Sequence, residues 1–204
     1  MAVPNLSYNP ALTTNVVGSF LAQSTGYEQG QARPDPATQY ALAAGILKTT
    51  ETLPMWGGVA IMENIPALDS NTGGNIQRAD TNAHITGFSV NNQNGATLIT
   101  PQSQCPVSLG GGQVNFYRLG SGARIAVKID ATLAATLDSG AVLVGAQVSW
   151  DLTNQQIITY DGGVGALAAK IVAINIGNSK TVSYDAVNNL CNWTANGSVA
   201  IIEI

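Results

Sequence analysis

The chain has 204 residues, only 10% of them charged, a net charge of −4, one histidine and two cysteines. Soluble domains carry about 25% Asp, Glu, Lys and Arg, so much of this surface is expected to be neutral or buried against partners. The inventory leaves most catalytic constellations without members, the eight scattered Lys and Arg form no basic stripe for phosphates, and no stretch approaches the roughly 20 apolar residues of a membrane helix.

With 45% hydrophobic residues and low net charge the chain is not of the disordered class, and all-β domains often run to about 200 residues as one unit. One core is expected. Residues 1–35 are rich in Asn, Gln, Gly and Pro, with Tyr8, Phe20 and Tyr27 spaced without a period. They read as an extended N-terminal arm, mobile in the free protein and ordered against a neighbour. A short helix is expected over 36–45, because Asp35 can cap it, Pro36 suits its first position and Gly45 can end it.

From Trp56 onward the pattern is β, which makes 36–204 a single β-domain. Candidate strands are 56–63, 83–90, 113–118, 122–129 and 141–149, then 156–160, 169–176, 180–184, 189–194 and 198–204, bounded by Gly, Asn, Asp or Pro. Asn178-Ser179 and Asn196-Gly197 read as turns between the later runs. About ten short strands with tight turns specify an all-β antiparallel sandwich or barrel. Two polar connections, 66–82 and 91–112, are the places for partner contacts. They contribute Asn71, Arg78 and Gly111 as partner-binding candidates beside Tyr8, Phe20 and Tyr27.

No catalytic residue, cofactor or metal is assigned. His84 has no second histidine to work with, and Gly110-Gly111-Gly112 lacks the Lys-Ser or Lys-Thr of a phosphate loop, so it reads as a flexible loop. Asp151 and Asp161 sit where turn chemistry explains an Asp. Asp69, Asn71 and Asp80 could offer oxygen ligands to calcium, though their spacing matches no known ligand loop. Trp56, Trp150 and Trp193 could stack on sugars if exposed together, but at strand ends they more often cover a core rim. Cys105 and Cys191, distant in sequence, read as free thiols in a protein made in the cytosol.

Several segments carry a likeness to a known family: Ile85-Thr86-Gly87-Phe88-Ser89-Val90, Val114-Asn115-Phe116-Tyr117-Arg118 leading into Gly122-Ala123-Arg124-Ile125-Ala126-Val127, and Val148-Ser149-Trp150-Asp151. With the opening NPALTTNVVGSFLA and the stretch from Leu53 to Asn64, the chain resembles the structural cement, or decoration, proteins of tailed bacteriophage capsids. The resemblance implies a jelly-roll-like β-domain with no catalytic residues. It also implies a place on the outer capsid surface of the virion, against the major capsid protein of an HK97-type shell, as a homodimer; a trimer is the alternative assembly. A phage tail or receptor-binding appendage and a carbohydrate-binding β-sandwich are the competing classes.

Overall fold

The computed structural model describes residues 26–33, 38–65, 75–91, 105–140, 144–163, 165–188 and 190–204. Among these the fold is the expected all-β class with one short helix. The strands are β1 (Ala32–Arg33), β2 (Ala43–Leu47), β3 (Ala60–Asn64), β4 (Asn75–Arg78), β5 (Gly87–Val90), β6 (Gln113–Arg118) and β7 (Arg124–Lys128). After the helix α1 (Ala131–Asp138) come β8 (Val148–Asp151), β9 (Gln156–Thr159), β10 (Lys170–Asp185) and β11 (Leu190–Glu203).

Five strands close a barrel in the order β2-β4-β3-β5-β6, with β6 pairing back onto β2. One pair departs from the antiparallel pattern: β2 and β4 run parallel, Ile46 opposite Asn75 and Leu47 opposite Ile76. Because successive side chains in a strand point to opposite faces, the barrel feeds two clusters. Leu47, Ile61, Ile76, Val114 and Phe116 join one, with Val182 and Cys191 from the last two strands. Ala60, Phe88 and Tyr117 join the other, with Trp150, Ile157, Ile125, Val127 and Ile202. Within it the Phe88 and Trp150 rings meet edge to face at 4.9 Å, a favoured aromatic geometry.

The long β10–β11 hairpin links both clusters. Its open end pairs with β7 in the sheet β1-β7-β11-β10, and its closed end supplies Val182 and Cys191 to the barrel-side cluster. The turns expected at Asn178-Ser179 and Asn196-Gly197 are not chain reversals. The pairing jumps from Asn175 opposite Val199 to Ser179 opposite Gly197, so both dipeptides lie in bulges of continuous strands. Asn196 supplies the positive φ of 59° that such a bulge uses. The chain reverses instead after Asp185, whose carboxylate accepts the backbone N–H groups of Val187 and Asn188.

The helix expected over 36–45 is not formed among its described residues. Gln39–Ala41 is a single 3-10 turn and Ala43–Leu47 is β2, with Gly45 inside the strand opposite Val114. The helix lies at α1, where the Asp130 carboxylate accepts from the N–H of Thr132 at 2.9 Å and of Leu133 at 3.4 Å, satisfying two first-turn donors. Gly140, at φ 72°, follows its end, and Leu133 and Ala134 are buried in the sheet-side cluster.

The arm boundary at 35 also shifts, because residues 26–33 belong to the body. Gly30 N–H donates to the Ala126 carbonyl at 2.7 Å and Lys180 N–H to the Tyr27 carbonyl at 2.8 Å, while β1 pairs with β7. Gly30 crosses Gly57 with φ +82°, and a Cβ there would stand 2.3 Å from the Gly57 Cα. Only glycine fits that crossing.

Candidate interaction surfaces

Of the six residues singled out for partner contact, Tyr8, Phe20 and Asn71 lie outside the described residues, as does most of the 66–82 connection. The other three are held by the fold. Tyr27 packs against the cluster of Ala126, Val199 and Ile201, and the Arg33 guanidinium sits 4.3 Å from its ring centroid. This cation–π contact leaves Tyr27 half-buried on the strap formed by 26–33.

Arg78 ends β4 with its guanidinium 4.5 Å from the Trp56 ring centroid, and its Nη2 donates to the Pro54 carbonyl. Its backbone N–H reaches the Glu51 carboxylate at 3.3 Å. Burial lowers the Arg78 pKa from its usual value and Glu51 opposes that; an arginine starts so high that the cation persists. Trp56 in turn lies 5.9 Å from Tyr184, so the guanidinium covers a stack of aromatic rings.

Gly111 is exposed in a fixed turn. Its N–H donates to the Leu47 carbonyl, Leu47 N–H donates to the Gly112 carbonyl, both at 2.8 Å, and φ at Gly111 is +83°. The flexible loop expected at Gly110–Gly112 is therefore a hydrogen-bonded turn between β2 and β6. Arg78 and this turn flank the same 48–54 segment, since Gly110 abuts the carbonyls of Lys48, Thr49 and Glu51. Tyr27 stands apart from both, on the β7–β11–β10 sheet.

The candidates for chemistry resolve into structural contacts. Asp151 accepts from Thr153 N–H at 2.8 Å and from the Asn154 side chain at 2.7 Å, and Asp161 accepts from Gly163 N–H at 3.0 Å. Burial raises the Asp151 pKa, but the hydrogen bonds from Asn154 and Thr153 prevail and leave it below its usual value. His84 falls in a 3-10 turn, outside any strand, and its Nδ1 lies 2.6 Å from Asp80, both exposed. Asp69 and Asn71 of the calcium candidate lie outside the described residues, and among the described residues no group of three or more His, Cys, Asp or Glu could hold a metal. Trp150 and Trp56 are buried, so neither presents a face for sugar stacking.

One surface feature has no counterpart in the sequence reading. An apolar groove of about 350 Å³ runs between α1 and β10, lined by Leu133, Leu137, Val144, Val148, Ile171 and Ile174 among others. Val144 is 72% exposed at its rim. Tyr40, Leu42, Ile65, Leu109, Ile176 and Val187 are further exposed large apolar side chains. The residues of α1 and β10 that line it are far apart in the sequence, so that they face one another is a tertiary fact. No described helix is long and apolar enough to cross a membrane. Comparison with protein-family models, with curated proteins and with solved structures returned no match.

Proposed function

We propose that this chain is a viral structural protein, without catalytic activity, that binds the outer surface of an HK97-type phage capsid and stabilises it by bridging neighbouring major capsid protein subunits. The observation that carries the reading is the character of the described surface: large apolar side chains exposed at Tyr40, Ile65, Val144 and Val187, in a chain with 10% charge. Such a surface loses little in desolvating charge when it is covered, and its amides and backbone groups supply hydrogen bonds. The cement-protein resemblance of the hairpin segments supports the same class.

The protein acts as a homodimer, which uses one patch twice and suits a two-fold position between capsomers. Modest contacts to several subunits then multiply through high effective concentration. The test compares virus particles lacking this chain with complete ones under heat and osmotic shock, and locates the chain by electron microscopy. Lower survival of the depleted particles, with density on the outer shell, is expected; equal survival, or density confined to the tail, overturns the reading.

A further inference from the structure

Cys105 and Cys191 are far apart in sequence and together in the fold. Neither is in a disulfide, and both are 0% exposed in the same cluster as Leu47, Ile61, Ile76 and Phe116. Cys191 lies on β11 opposite Tyr184. Cys105 opens the stretch whose Ser108 is fastened to Met55 by paired backbone hydrogen bonds of 2.7 and 2.8 Å. The two thiols hydrogen-bond to each other. A disulfide needs two cysteines whose Cα atoms lie within about 7 Å of each other, and two thiols within hydrogen-bond reach in one buried cluster are the candidates for it.

We propose that Cys105 and Cys191 are a redox-closable pair, in which exchange with a small-molecule disulfide forms an intramolecular bond that fastens the segment leading into β6 to β11 of the long hairpin. The inference does not rest on the capsid reading. The surroundings assign the roles. The hydrogen bond from Cys105, and after it the Arg78 charge, lower the Cys191 pKa, while that same hydrogen bond and burial raise the Cys105 pKa. Arg78 Nε is itself buried without a hydrogen-bond partner among the described residues.

Cys191 loses its proton to solvent, and its thiolate attacks one sulfur of glutathione disulfide. The S–S bond of the oxidant breaks, one glutathione thiolate leaves, and Cys191 carries the mixed disulfide. Cys105 then releases its proton, its thiolate attacks the Cys191 sulfur, and the second glutathione leaves. Two protein thiols have lost two protons and two electrons, and one glutathione disulfide has become two glutathione thiols. Since both sulfurs are fully buried, exchange waits on local opening of the segment that carries Cys105. The bond is therefore slow to form and slow to be reduced. In a reducing cytosol the pair stays open, and it closes in oxidising surroundings.

The experiment incubates the full chain, purified reduced, with glutathione disulfide, then unfolds it in denaturant with iodoacetamide and measures intact and peptide masses. Loss of two hydrogens, no alkylation at either cysteine and a linked peptide pair containing Cys105 and Cys191 are expected. The thermal midpoint should rise by about 10 °C over the reduced protein, and Cys105→Ala should show no rise. Alkylation of both cysteines after an incubation that fully oxidises the unfolded chain, a bond between two chains, or an equal rise in Cys105→Ala overturns the proposal. The mass measurement on the unaltered protein decides even if the variant does not fold.

Discussion

Gln29 and Val182 are joined across the molecule: the Gln29 Oε1 accepts the Val182 backbone N–H at 2.9 Å, and both side chains are buried. Gln29 also donates its own N–H to the Lys180 carbonyl at 2.9 Å, so the 26–33 strap completes the hydrogen bonding of β10 beside its bulge. Gln29→Ala leaves a buried donor without a partner, which costs about 2–3 kcal/mol. A fall in the urea midpoint at unchanged slope is the expected result. Deleting the chain through Arg33 should lower stability further, since β1 goes with it; an unchanged midpoint would restore the arm boundary at 35.

Gly30 and Gly120 separate backbone strain from close approach. Their φ values are +82° and +84°, but a Cβ at Gly30 meets Gly57 whereas one at Gly120 meets nothing within 4 Å. Gly120→Ala should cost only the left-handed strain of about 1–2 kcal/mol. Gly30→Ala adds a backbone clash and should lose several times as much, read as the difference in chemical denaturation; equal losses would mean that the strap does not cross Gly57 so closely.

The position of the only helix among the described residues shows what the sequence could and could not specify. Asp35-Pro36 with Gly45, and Asp130 with Gly140, carry the same capping chemistry, and both intervening runs are rich in Ala and Leu. Local propensity cannot separate them. The decision is tertiary, because Ala43–Leu47 closes the barrel between β4 and β6. By contrast Gln113–Arg118 matches its expected bounds, since Val114 and Phe116 alternate with Asn115 and Tyr117 and both faces are covered. Asn196-Gly197 reads as a turn and is instead part of a bulge, because the positive φ that Asn196 adopts serves a bulge as well as a turn. The Cys105–Cys191 contact and the groove beside α1 are long-range, and no local pattern encodes them.

The Asp130 cap gives a direct check on the helix. Asp130→Ala removes the acceptor for Thr132 and Leu133 N–H and should destabilise the protein by about 1 kcal/mol. Amide hydrogen exchange should accelerate at Ala134 and Ala135 in the variant. Unaltered protection there would place the stabilisation of α1 in packing alone.

Acid should weaken the fold through its turn carboxylates. The Asp80 pKa is lowered chiefly by the hydrogen bond with His84 and the Asp185 pKa by the Asn188 side chain, while Asp151 ends below its usual value against the influence of burial. A carboxylate lowered in the folded state stabilises above its unfolded pKa of about 4, and that contribution is lost as pH falls through the folded value. The thermal midpoint should therefore hold steady above about pH 5 and drop below about pH 4. Asp185→Ala, measured across that range, should show a shallower drop than the unaltered protein; a steeper one reverses the assignment.

Salt provides the sharpest test of how the surface meets a partner. Arg118 holds Glu63 through two bonds of 2.7 Å, Arg124 lies 3.0 Å from Glu203, and Lys180 lies 3.5 Å from Glu28. Arg33 covers Tyr27 and Arg78 covers Trp56. Five of the eight basic side chains in the sequence are thus engaged within the chain, which leaves little charge to pair across an interface. On the proposed capsid role, attachment would rest on apolar side chains and amides, and such contacts are barely screened by ions. Occupancy on purified shells, measured from about 0.05 to 0.5 M sodium chloride, should change less than about threefold, whereas exposed ion pairs weaken as the Debye length shortens over that range. A loss of ten-fold or more would show that ion pairs hold the complex, and that the exposed apolar side chains serve some other purpose.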